Sequence, residues 1–230
     1  MPINTYTPIV FIEDQPNRSS QLFVQLIDIT MDLARRKANK INIDIRYVVP
    51  TIKLSFAKYD TAMRKMEKKY DDAKKGWGAE LENHVIFSSD KSCLIPLDEN
   101  IYDSEENTQK HAREIYTRIS DENAVVLMDL ALNQISDDNR EDENRLLGAT
   151  DPQYLLSHVL CEILEDTGVY FQLYTNYGIG TTFEENWLKV YEQRKMQKNR
   201  AFNTPTVYYR ARIDGYMYTD ETFYNNFLKT

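Results

Sequence analysis

Residues 8–14 read PIVFIED: five residues of β-rich apolar sequence that stop at two consecutive carboxylates, Glu13 and Asp14. A run that short and that uniformly apolar fits a strand covered on both faces, the pattern of a parallel sheet flanked by helices. Pro16 and the polar residues Asn17 to Ser20 supply the turn. Leu22, Phe23, Leu26, Ile27, Ile29 and Leu33 then recur at helical spacing, and Arg35, Arg36 and Lys37 place cations where a helix C-terminus favours them. Strand, turn and helix are the first unit.

Residues 41–49, INIDIRYVV, predict a second strand that Pro50 should end. From Thr51 to Asp103 the pattern changes to a charged helix near 56–75, a Gly76-Trp77-Gly78 break and a short strand at 84–88. Residues 104–121 return to an amphipathic helix with Ala112, Ile115, Tyr116 and Ile119 on one face. AVVLM at 124–128 predicts the next core strand, and it too stops at a carboxylate, Asp129. Beyond an acidic loop at 136–144 come a helix at 151–165, a strand at 169–174 closed by Thr175, a helix near 182–198, the strand TVYYRARI from 206, a turn at Asp214-Gly215 and a last helix over 219–228. The fold class expected is α/β, a doubly wound parallel sheet of five strands in one domain, residues 1–230, with an inserted segment at about 50–103 and no separate effector domain.

In an open parallel sheet the loops leaving the carboxyl ends of the strands gather at one edge, where such folds bind ligands. Glu13, Asp14, Asp129 and Thr175 should share that edge. Carboxylates brought together repel one another unless a cation neutralises them, and a hard divalent ion such as Mg²⁺, which accepts few carboxylates and keeps several waters, suits the set. Taken singly, each acidic residue also serves as a solvated turn, and Thr175 as a turn-capping hydroxyl.

IVFIEDQPNRSSQLF and AVVLMDLALN resemble the receiver domains of bacterial two-component response regulators, the first in its strand, acidic pair and helix, the second in the strand and loop around the phosphoacceptor. The resemblance implies a flavodoxin-like sheet, Mg²⁺ bound by Glu13, Asp14 and Asp129, a phosphoryl group accepted by Asp129, Thr175 in QLYTNYG as the switch hydroxyl, and a histidine kinase or phosphotransfer protein as partner. Tyr208 matches the aromatic that reports the state of the family's site to partners; a packed strand aromatic is its other reading. Arg210 stands where the family carries lysine. A planar guanidinium does not replace a compact ammonium at a tight site, so a scaffold that binds partners without phosphorylation stays open beside the switch. A metal-dependent phosphohydrolase using the same carboxylates is a further alternative, although Ala131 stands where a haloacid-dehalogenase-like phosphatase needs a second aspartate. A phosphoacceptor or binding module fits better than a turnover enzyme.

The formal charge of −8 argues against broad nucleic-acid contact, and the basic stretch Arg64 to Lys75 is interleaved with Glu67, Asp71 and Asp72 as on a solvated helix. No run is long and apolar enough for a membrane span, and the start MPINTYTPIV lacks the pattern of a secretion signal. Cys93 and Cys161 give no disulfide framework, and His84, His111 and His158 lack zinc-site spacing. A cytoplasmic location follows as the expectation. No phosphate-binding or dinucleotide glycine motif occurs, so no nucleotide cofactor is indicated.

Overall fold

The computed structural model describes residues 6–36, 42–51, 56–89, 94–98, 100–101, 103–119, 123–130, 132, 153–175, 182–198, 200 and 207–209. In chain order the elements are β1 (Thr7–Ile12), a 3₁₀ turn (Pro16–Ser19), α1 (Ser20–Arg36), β2 (Ile43–Thr51), α2 (Phe56–Trp77), a 3₁₀ turn (Gly78–Glu80), α3 (Leu81–His84), β3 (Val85–Phe87), β4 (Leu94–Pro96), α4 (Glu105–Ile119), β5 (Val125–Asp129), α5 (Gln153–Thr167), β6 (Tyr170–Thr175), α6 (Thr182–Gln197) and β7 (Val207–Tyr209). The strands form one parallel sheet ordered β3-β2-β1-β5-β6-β7, with β4 also paired to β2. The five expected strands therefore stand in the order second, first, third, fourth, fifth, which is the flavodoxin-like α/β fold.

Alternation along the central strands divides the core in two. Val10 and Ile12 of β1 and Val126 and Met128 of β5 meet Ala112, Ile115 and Ile119 of α4, Leu156 and Leu160 of α5, and Trp187 and Tyr191 of α6. Ile9 and Phe11, with Val125, Leu127 and Tyr174, face Phe23, Ile27 and Met31 of α1 and Tyr59, Met63 and Met66 of α2. Period-2 alternation makes this unavoidable, since neighbouring side chains of a strand leave opposite faces. Outside the core, α6 is tied down by ion pairs: Arg194 bonds Glu162 at 3.2 Å and Glu105 at 2.9 Å, and Lys198 bonds Glu162 at 2.7 Å and Glu105 at 3.1 Å.

The segment expected as an insertion enlarges the sheet. Its charged helix is α2, Gly78 at φ +74° follows the helix end in a left-handed conformation suited to glycine, and both β3 and β4 extend the β2 side. Among the described residues the sheet consequently has seven strands where five were expected. β2 also runs through Pro50 to Thr51 instead of stopping before it. The reason is positional. Glu13 N–H bonds the Val48 carbonyl and Leu97 N–H the Thr51 carbonyl, so even-numbered residues of β2 point toward β1 and odd ones toward β4. Residue 50 stands at the last step of the β1 ladder, so the N–H that proline lacks costs at most one terminal bond there, while the pairing with β4 runs through residues 49 and 51.

Of the remaining expectations, Ser104 caps α4 by accepting Asn107 N–H at 3.1 Å. Cys161 is a buried free thiol, and no helix among the described residues is long and apolar enough to cross a membrane. The acidic loop 136–144, Cys93, the turn at 176–178, Arg210, the turn at Asp214-Gly215 and the helix expected over 219–228 lie outside the described residues.

Candidate metal centre

The chain leaves β1, travels to β2 on one side, then returns through α4 to β5 on the other. That reversal is the topological switch point of the sheet, and Glu13-Asp14 and Asp129 sit at the carboxyl ends of its two strands. β1 and β5 pair in register up to Ile12↔Met128, so Glu13 and Asp129 face one another one step further on. Asp129 in turn pairs with Tyr174 of β6. The ladders persist past the strand ends, through Glu13 N–H to Val48 O at 3.1 Å and Leu130 N–H to Tyr174 O at 3.1 Å, and this fixes Glu13, Asp129 and Tyr174 as one cross-strand row.

By alternation that row lies on the α1 side, with Phe11 and Leu127. Glu13, Asp14 and Asp129 are buried, at 0%, 5% and 3% exposure. Each offers a carboxylate oxygen, and the three oxygens lie within 4.8 Å of one another. Glu13 Oε1 accepts the backbone N–H of Gln15 at 2.9 Å, and Glu13 Oε2 accepts the Tyr174 hydroxyl at 2.7 Å. Adjacent strands are about 4.8 Å apart, so a phenol that starts on β6 and ends at a residue of β1 must lie across β5 at the level of Asp129.

Burial is the main force on the protonation of the site. It pushes the Glu13 carboxyl well above the ordinary carboxylate range; the charges of Asp129 and then Asp14, and the hydrogen bond with Asp14, add to it, while the Tyr174 hydrogen bond works the other way. The Tyr174 phenol is raised as well, first by burial and then by the Glu13 and Asp129 charges, so it stays protonated and donates. Beneath the row Phe11 stacks on Tyr47 at 4.8 Å and meets Tyr174 edge-on at 6.2 Å, and the Tyr47 hydroxyl hydrogen-bonds Ser19 Oγ at 2.8 Å. Ser19 Oγ also donates to Pro16 O at 2.9 Å, which joins the turn after Asp14 to the floor of the site.

The donor set suits a hard divalent cation. Mg²⁺ binds oxygen at about 2.0–2.1 Å, which puts opposite ligands roughly 4.2 Å apart, and Ca²⁺ at about 2.3–2.6 Å puts them roughly 5 Å apart. Three carboxylate oxygens within 4.8 Å of one another are close enough together to ligate one such ion.

The other residues singled out from sequence fall in different places. Thr175 is the last residue of β6, with its backbone paired to Tyr209, and Tyr208 lies in β7 opposite Tyr174; their side chains are outside the described set, as is Arg210. The histidines serve packing and hydrogen bonding. His158 is buried beside Trp187 and Tyr191 and bonds the Trp187 carbonyl at 3.1 Å, His111 lies between Asp98 and Glu114, and His84 pairs with Asn42. Tyr174 was not foreseen. Alternation within VYFQLY assigns it a face, but its partner lies 161 residues away and becomes visible only with the strand order. Compared with protein-family models, curated proteins and solved structures, the chain matches none of them.

Proposed function

We propose that this chain is a receiver-like signalling module of the cytoplasm, in which Glu13, Asp14 and Asp129 hold Mg²⁺ and Asp129 accepts a phosphoryl group from a protein partner such as a histidine kinase or phosphotransfer protein. The observation that carries the reading is the convergence of three buried carboxylates, from two distant stretches of chain, on one cation-sized space at the switch point of the sheet. In the transfer, an Asp129 oxygen forms a new bond to phosphorus while the donor's bond to phosphorus breaks and its electron pair leaves with the donor. A bound cation supplies positive charge that offsets the carboxylates and the incoming phosphoryl oxygens. Glu13 and Asp14 hold the neighbouring oxygens, and the wall of Tyr174, Phe11 and Tyr47 excludes water from the α1 side.

The test is incubation of the chain with Mg²⁺ and a small acyl phosphate, followed by intact mass. A gain of one phosphoryl group in the wild type, absent from Asp129→Asn, is the expected result; no gain in either protein removes the phosphoacceptor reading. The depth of the pocket favours a second reading, a frame that binds partners without being phosphorylated. Asp129 is only 3% exposed. On that reading Mg²⁺ or Mn²⁺ still binds, the acyl phosphate leaves the mass unchanged, and partner capture is the same with and without the donor.

A further inference from the structure

Glu13 is gripped at both oxygens. Gln15 N–H takes Oε1 at 2.9 Å and the Tyr174 hydroxyl takes Oε2 at 2.7 Å. Neither donor is free to drift. Gln15 is two residues along the same tight turn, and the Tyr174 ring packs at 71° against Phe11, which is stacked in turn on Tyr47. A carboxylate held this way keeps its plane fixed and cannot swing to present both oxygens to one ion. That distinction separates two common hard cations. Ca²⁺ takes six to eight oxygens at flexible geometry and often uses both oxygens of a carboxylate, whereas Mg²⁺ demands near-octahedral single-oxygen ligands and retains waters.

We infer that Tyr174 is the specificity-determining positioning residue of the acidic pocket: together with Gln15 N–H it fixes the plane of the Glu13 carboxylate, so that Glu13 ligates through one oxygen and cannot turn to chelate an ion with both, and the pocket therefore prefers Mg²⁺ to Ca²⁺. This rests on the cation reading proposed above. Tyr174 touches no ion itself; it acts through Glu13, from a strand two places away in the sheet.

The experiment uses Mn²⁺ as a paramagnetic probe bound to the full chain and displaced by Mg²⁺ or by Ca²⁺, in the wild type, Tyr174→Phe, Glu13→Gln and the double variant. Phenylalanine keeps the ring and its contact with Phe11 while removing the donor, and thermal melting verifies that each variant is folded. In Tyr174→Phe the preference for Mg²⁺ over Ca²⁺ is expected to fall about tenfold or more, the worth of one hydrogen bond to a charged group, because Ca²⁺ gains the second Glu13 oxygen. In the Glu13→Gln background the same substitution leaves the ratio where it was. A merely structural role would weaken both ions together, so an unchanged ratio in folded Tyr174→Phe overturns the inference and leaves the cation reading standing. If no ion binds the wild type, both fall.

Discussion

Three buried carboxylates in one space should make the cation-free protein less stable than it could be, and Glu13→Gln measures by how much. Glutamine is nearly isosteric, its carbonyl can accept from Tyr174 or Gln15, and its amide can donate to Asp14 or Asp129. Two full charges repel by about 3.5 kcal/mol at 4.8 Å, the widest separation among the three oxygens, at an effective dielectric constant of 20, which sets the scale of the gain per charge pair removed. Proton uptake by Glu13 already relieves part of this, so the expected stabilisation is about 1–3 kcal/mol, worth roughly 3–10 °C in Tm for a chain of this size. The pH dependence has a definite sign. The Glu13 carboxyl is raised in the folded state, so the folded protein binds the proton more tightly than the unfolded chain does. Its contribution is complete below the ordinary carboxylate value of 4.5 and is lost as pH rises through the raised one. Urea unfolding in the presence of a chelator, at a series of pH values from 5 to 9, should show wild-type stability declining toward alkaline pH and Glu13→Gln declining less. A variant that is less stable than wild type at pH 8, with the same pH slope, would refute the repulsion argument.

Adding Mg²⁺ at a hundredfold excess over its wild-type dissociation constant should raise wild-type stability by about 2.7 kcal/mol and leave Asp129→Asn nearly unmoved, as read by thermal melting with and without the ion. Burial holds the His158 imidazole down to about 3, so it contributes stability above the unfolded value of 6.5 that is lost as pH falls from there toward 3; His158→Leu should abolish that acid-side slope in urea titrations. The same variant removes the partner of the buried Trp187 carbonyl and should cost about 1–3 kcal/mol at pH 7. Gly78→Ala meets no atom within 4 Å of the added carbon, so its cost is conformational alone, about 1 kcal/mol for the left-handed φ of +74°, and Gly76→Ala, at a helical position with equally open space, should not destabilise.

Where strand and helix fall was legible in this sequence because each core strand is bounded by its own chemistry: PIVFI stops at Glu13-Asp14, AVVLM at Asp129, VYFQLY at Thr175. The convergence of the carboxylates was legible for the same reason, since parallel strands deliver their C-terminal residues to one edge whatever their order. Two features were not. β4 is three residues long, LIP, and contains a proline, so no periodicity announces it; it continues the edge of β2 beyond β3, which pairs only Ile43–Ile45, and takes up the outward backbone groups of residues 49 and 51. Tyr174 was hidden for a different reason. Local pattern gives a strand residue its face but not its neighbours, and the reach from β6 over β5 to Glu13 depends on β5 lying between β1 and β6. The strand order that turns three acidic chain positions into a pocket also places a phenol across it. The chemistry of the site therefore depends on a residue whose sequence context marks it only as one more aromatic in a core strand.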